Sequence, residues 1–330
     1  MIRDDAHLHA DALSPDALEQ GSTRDGFGMG GVAAGLDDPR VVVLCADLAE
    51  STRSHWFQEK FPERYIEVGV AEQNLATVAS GLANYGKIPF ITSYAAFSPG
   101  RNYEQLRTTV CLNHVPVKVM GMHAGISVGP DGATHQPLED IGLMRMLPRM
   151  TVVVPADVEE AKKATIAAAA TGEPIYIRFG RAKTPIFTTP ETPFTLGQSY
   201  VMWEGEDPEV ALITCGSVAH NALLAAEQLA QEGVSTIVLN NHTVKPMDES
   251  AVIDLARRTG AVVTVEEHQV SGGMGSAVAE VLAHNYPTPM QMVGVHDQFG
   301  QSGAPAELIE HYGMGVGAIK TAVHAARARR

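Results

Sequence analysis

Short runs of consecutive apolar residues recur along the first part of the chain. VVVLC (41–45), YIEV (65–68), IPFITS (88–93), VKVMGM (117–122), TVVVP (151–155) and PIYIRF (174–179) are rich in β-branched residues and scarcely alternate with polar ones. That pattern predicts strands of a parallel sheet covered on both faces. Helical periodicity fills the gaps between them. The clearest case runs from Glu72 to Tyr85, with Leu75, Val78, Ala79 and Leu82 on one face and Gly86 where a C-terminal cap belongs. The alternation predicts an α/β doubly wound domain.

TPIFTTPETPFTLGQ (184–198) interrupts the pattern with three prolines and a crowd of threonines, and reads as a linker. Beyond it, strands are predicted at 209–216, 235–240 and 261–267, with helices at 219–233 and 272–285. The expected organisation is a loose N-terminal arm (1–20), a first α/β domain (21–195) and a smaller α/β domain (196–330).

Composition narrows the function classes. With 45% hydrophobic and 19% charged residues in 330, the chain can bury a large core. Its net charge of -14 argues against nucleic-acid or anionic-membrane partners. A few arginines in a cleft can nonetheless hold an anionic small molecule. Cys45, Cys111 and Cys215 are odd in number and widely spaced, as expected of reduced thiols. The polar, acidic opening MIRDDAHLHADALS does not resemble a signal peptide, and no apolar run approaches membrane-spanning length. A soluble cytoplasmic protein is expected.

Several residues stand where chemistry could be placed. Glu72, in EVGVAEQNL, follows a strand and opens a helix. It is either a carboxylate complementing the helix N-terminus or a buried acid where open α/β sheets collect ligands. Tyr94 and Phe97, in SYAAFSPGRNYEQLR, follow a strand end as core aromatics or as a platform. The stretch MHAGISVGPDGATHQPLED (122–140) lacks any period and holds His123, Asp131 and His135. An irregular loop of that length inside a compact domain is usually functional. Its spacing does not match a zinc site, so no metal is assigned. Arg24 and Arg181 are either solvated or cleft cations, and Ser51 is either a helix cap or a ligand.

Taken together, GSTRDGFG, CADLAESTRS, YIEVGVAEQNL, SYAAFSPGRNYEQLR, VGPDGATHQPLED and IRFGRAKTP stand in the order found in transketolases. KPMDES and VEEHQVSGGMGSAVAE resemble that family's C-terminal domain, so the resemblance runs from about residue 20 to the end. It implies a pyrimidine-binding domain for thiamine diphosphate, followed by the transketolase C-terminal domain. By the match to AEQN, Glu72 is implied to hydrogen-bond N1′ of the cofactor's aminopyrimidine. A carboxyl in that role gives and takes a proton, which desolvation at a buried interface favours. Phe97 is implied to stack on the ring with Tyr94 beside it, and Asp47 to lie near the cofactor. His123 and His135 are implied to line the substrate channel and pass protons, and Asp131 to meet a substrate hydroxyl. Arg24, Ser51, His135 and Arg181 are implied to clamp a sugar phosphate.

The family's diphosphate-binding G-D-G motif does not occur in these 330 residues. The resemblance therefore implies one subunit of a split transketolase. A partner carrying the diphosphate-binding domain would hold most of the Mg²⁺ site, in an α2β2 assembly acting on sugar phosphates. The rival readings are the β subunit of a 2-oxo acid dehydrogenase, a deoxyxylulose-phosphate-synthase-like enzyme, and a non-catalytic paralogue. The identity of the sugar stays open.

Overall fold

The computed structural model describes residues 1–330. Two sheets organise it. The first has seven strands in the order Thr243–Lys245, Thr151–Val153, Ile175–Arg178, Lys118–Met122, Ile88–Tyr94, Val41–Cys45 and Tyr65–Glu67. Its last six strands are parallel, and Thr243–Lys245 joins antiparallel at the edge. Val41–Cys45, Ile88–Pro89–Phe90–Ile91 and Lys118–Met122 are buried throughout, which is why the sequence shows unbroken apolar runs there. The second sheet runs Met290–Val295, Val262–Gln269, Val210–Thr214, Thr236–Asn240 and Tyr200–Glu204, with only the last strand antiparallel. The chain is thus α/β in two layered units, with helices on the sheet faces.

Thr243–Lys245 lies within the C-terminal part of the sequence yet completes the N-terminal sheet. The two units are therefore stitched by backbone hydrogen bonds as well as by side chains. The 184–198 segment is likewise tied down. Asp157 accepts hydrogen bonds from the Phe187 and Thr188 amides and the Thr188 hydroxyl, at 2.9, 2.7 and 2.7 Å, and Phe187 is fully buried.

The N-terminal arm is not loose, contrary to expectation. The Arg3 amide donates to the Met202 carbonyl and the Glu204 amide to the Met1 carbonyl, at 3.0 and 2.9 Å. The Ala12 carbonyl meets His220 Nε2 at 2.9 Å, and Ala6, Ala12 and Leu18 are buried. Three small or branched apolar side chains spaced six residues apart suffice to bind the arm as a strap across the second unit, and no helical or strand period announces this.

The helix Thr23–Asp37 carries five glycines, which oppose helix formation by about 1 kcal/mol each relative to alanine. Packing explains them. A Cβ on Gly26 would come within 2.4 Å of the Val158 carbonyl oxygen, so only glycine lets this helix lie against Val158–Ala170. That close approach fixes the N-terminus of Thr23–Asp37 beside the carboxyl ends of the parallel strands. The Gly180 amide donates to Thr23 Oγ1 at 2.8 Å, and Ser22 Oγ to the Gly180 carbonyl at 3.0 Å.

Candidate active site

Parallel strands of an open sheet aim their carboxyl ends at a common edge, and loops leaving that edge carry ligand sites. Tyr94 ends such a strand, and Asp47, Ser51, Glu72, Phe97, His123 and Arg181 lie on the loops or helices that follow such strand ends. Arg24 reaches the same edge from the N-terminus of Thr23–Asp37.

A positive pole forms at one end. One Arg24 Nη donates to the Ser51 carbonyl at 2.9 Å and to His123 Nε2 at 3.0 Å. Burial first, and then the charge of Arg53, lower the Arg24 pKa, with Arg181 adding to the effect. Arg53 is anchored through Nε to Asp25 at 2.6 Å, and Arg181 donates to the Val128 carbonyl at 3.0 Å. Three guanidiniums close enough to act on one another, only one of them paired with a carboxylate, make a setting for an anion.

His123 is buried, and its pKa is pushed down to about 3, first by that burial and then by Arg24 and Arg181. The ring is therefore neutral at physiological pH. Arginine can only donate, so Nε2 accepts and the ring proton sits on Nδ1. His123 Nδ1 is buried and has no partner within the chain. A buried N–H left without a partner costs free energy, about 1–3 kcal/mol, and a substrate oxygen would relieve that cost.

Aromatic rings carry the site onward from His123. Tyr94 stacks on His123 with centroids 4.1 Å apart and lies 5.9 Å from Phe97, also stacked. His135 meets both rings edge-on, at 6.1 Å from Tyr94 and 5.5 Å from Phe97. At the far end Glu72 is buried at the first turn of its helix, Glu72–Asn84. Its Oε1 accepts from Ser93 Oγ at 3.3 Å and its Oε2 from Arg101 Nη1 at 3.1 Å. Asn102 Nδ2 holds the Glu72 backbone carbonyl at 3.0 Å. A cavity of about 610 Å³ opens beside Glu72, lined by residues 70–74 and Arg101. A larger concavity, about 750 Å³ between Arg145, Lys245 and His284, lies elsewhere and holds none of these groups.

The contacts thus join Arg24, His123, Tyr94, Phe97 and His135, and Arg101 links Phe97 to Glu72. Ser51 enters through its carbonyl and not its hydroxyl. Asp47 and Asp131 are exposed, and no hydrogen bond or ion pair joins either to the others. Asp47 does sit in a left-handed turn whose amide donates to Glu67 Oε1 at 2.8 Å, and the same oxygen accepts the Gly69 amide at 2.8 Å. Glu67 therefore ties the Asp47 loop to the loop entering Glu72.

Sequence reasoning did not single out the residues that hold the 123–135 loop. Glu267, on the second sheet, accepts the Ser127 amide at 2.6 Å, and burial raises its pKa. Its Oε1 lies 2.3 Å from where a Cβ on Gly125 would stand, and Gly125 has φ +90°, so glycine is needed there twice over. Gln136 Nε2 donates to the carbonyls of Ile126, Gly129 and Gln301 at 3.1, 3.2 and 3.0 Å. The loop is shaped by the second unit, which no local pattern reveals.

An aminopyrimidine needs an aromatic face and a carboxylate at its edge, and the half-exposed Phe97 and buried Glu72 provide that pair. No group of three or more His, Cys, Asp or Glu side chains in the chain is arranged to hold a metal ion.

Comparison with known proteins shows the family of the two units. Residues 19–186 match the family model "Transketolase, pyrimidine binding domain", and 199–319 match "Transketolase, C-terminal domain". The 6-deoxy-6-sulfo-D-fructose transketolase subunit SqwH of Clostridium sp. (strain MSTE9) is 42% identical over 293 residues, covering 89% of this chain and 90% of that protein. A putative transketolase C-terminal section of Methanocaldococcus jannaschii is 39% identical, covering 88% of this chain and 92% of that protein. A solved chain described as a split gene transketolase, inactive beta4 tetramer, superposes with a TM-score of 0.86 at 42% identity, covering 93% of this chain and 98% of that one.

Proposed function

The chain belongs to the transketolase family, whose members depend on thiamine diphosphate, and we propose that it is the pyrimidine-side subunit of a split transketolase. In this reading a partner subunit brings the diphosphate-binding domain and Mg²⁺. The complex moves a two-carbon ketol unit from a ketose bearing a tail anion to an aldose. The observation that carries the proposal is the run of contacts from the cationic cluster at Arg24, through His123, Tyr94, Phe97 and Arg101, to the buried Glu72.

Bound thiamine diphosphate supplies the carbon nucleophile and electron sink for carbon–carbon cleavage. This chain's residues bind, orient and move protons. Phe97 offers its face to the aminopyrimidine, and Glu72 exchanges a proton with N1′ at the ring edge. His123 donates Nδ1–H to a substrate oxygen, which its neutral state and free donor suit. His135, beside the same rings, serves substrate oxygens from the channel side. Arg24 and Arg181 hold the tail anion, as a phosphate or a sulfonate, away from the reacting carbon. The sulfosugar named for the Clostridium relative makes a sulfonate tail one of the two chemistries to assay.

The test is reconstitution. The purified chain with thiamine diphosphate and Mg²⁺ is expected to give no ketol transfer from fructose 6-phosphate or hydroxypyruvate. Adding the subunit that carries the diphosphate-binding domain is expected to restore it. Turnover by this chain alone would overturn the split-site reading.

A further inference from the structure

Both groups given to the cofactor ring are already engaged by a side chain of the chain itself. Arg101 Nη1 stands 3.1 Å from Glu72 Oε2, and its guanidinium carbon lies 4.0 Å from the centre of the Phe97 ring. A guanidinium is planar, presents N–H donors along its edge, and stacks on aromatic faces. In shape and bonding it stands in for an aminopyrimidine.

The backbone beneath Arg101 is fixed while its side chain is free. The Arg101 amide donates to the Phe97 carbonyl at 2.8 Å. A Cβ on Gly100 would come within 2.0 Å of the Ala96 carbonyl oxygen, so the turn is tight. The next residue, Asn102, is buried and bonds Ser98 Oγ at 3.1 Å and the Glu72 carbonyl at 3.0 Å. The Arg101 side chain, by contrast, is 50% exposed and borders the cavity beside Glu72. It can leave for solvent without disturbing the turn.

We propose that Arg101 is a built-in placeholder for the aminopyrimidine, holding Glu72 and the Phe97 face until the cofactor displaces it. This rests on the proposed thiamine-diphosphate site. One carboxylate oxygen and one ring face cannot serve both groups at once, so the cofactor competes with Arg101 for every productive contact. While it is in place, Arg101 gives the buried Glu72 a counter-charge, which an unliganded site would otherwise lack. On displacement that counter-charge goes, and Glu72 is left to share a proton with the ring nitrogen.

The experiment measures thiamine diphosphate binding, with Mg²⁺ present, to the reconstituted complex by calorimetry and stopped flow. Wild type is compared with Arg101→Met and Arg101→Lys. Removing the competing charged hydrogen bond and the cation–π contact should tighten binding by about ten- to a hundredfold in Arg101→Met. The wild-type association rate constant should be lower than that of Arg101→Met, because only the fraction of complexes from which Arg101 has withdrawn can accept the cofactor, and that withdrawal is fast on the stopped-flow timescale. Arg101→Lys keeps the charge but loses the planar stack, and should fall between. Equal or weaker binding in Arg101→Met, with thiamine diphosphate still bound by wild type, would overturn the placeholder and leave the cofactor site standing. Absence of thiamine diphosphate binding by the wild-type complex would overturn both.

Discussion

Replacing Arg24 with alanine tests the anion pole most sharply. Arg24 is half-buried, and its guanidinium spans the Ser51 carbonyl and His123 Nε2 at 2.9 and 3.0 Å. A charged hydrogen bond to a substrate anion is worth about 1.5–3 kcal/mol, so its loss should raise KM for a tail-bearing ketose by about ten- to a hundredfold. In the proposed site the tail lies away from the reacting carbon, so the contact is felt equally in ground and transition states, and kcat should change little. One side effect has a known sign. Removing Arg24 takes away one of the charges that lower the His123 pKa, so that pKa rises. Burial is the larger cause and remains, so the ring stays neutral near pH 7, while Nε2 loses the donor that fixes its tautomer. Hydroxypyruvate, which has no tail anion, should be nearly indifferent to the substitution. The assay is steady-state kinetics of the reconstituted complex with a ketose phosphate, a sulfoketose and hydroxypyruvate. Equal losses for all three donors would mean that Arg24 supports structure, and the anion pole would be refuted.

Two further outcomes follow from buried groups. The folded-state pKa of His123, about 3, lies below its ordinary value of about 6.5, so the unfolded chain binds the proton first and stability falls as pH drops from about 6.5 toward 3. At pH 5 this amounts to about 2 kcal/mol; His123→Gln, which cannot titrate, should lose that much less than wild type between pH 7 and 5 in urea denaturation, and parallel losses would refute the assignment. Glu267→Ala should free the Ser127 amide and speed hydrogen exchange across residues 123–135 by about ten- to a hundredfold while the rest of the chain keeps its protection; unchanged exchange there would show that Gln136 alone shapes the loop.

What could be seen in the sequence depends on how local its cause is. Strands such as Val41–Cys45 and Lys118–Met122 are buried on both faces, and each carries its own signal in unbroken apolar residues. The helix Glu72–Asn84 has a single apolar stripe and ends within a residue of its expected boundary. Thr23–Asp37 carries the opposite signal, because Gly26 and Gly30 serve contact with Val158–Ala170, more than a hundred residues away, and Gly28 and Gly35 serve contact with Ser54–Lys60. Thr243–Lys245 is a three-residue strand whose partner lies in the other unit, so nothing nearby marks it.

The same division holds at the site. Residues such as Glu72, Phe97 and His123 stood out because they sit in motifs at strand ends. Arg101 lies in the same segment as Phe97, but its pairing with Glu72 spans 29 residues and appears only on folding. Glu267 reaches Ser127 across 140 residues. Contacts that position a loop or occupy a site are long-range, whereas motifs are short, and this separates what was legible from what was not.

In the proposed site Glu72 is a working acid at the edge of the cofactor ring and more than a carboxylate at a helix N-terminus. Glu72→Gln keeps the size of the side chain and a hydrogen bond to the ring, but cannot exchange the proton. With the partner subunit, thiamine diphosphate and Mg²⁺ present, the complex should stay intact while its kcat falls by about 10²- to 10⁴-fold. A Glu72→Gln complex turning over within a few-fold of wild type would contradict it.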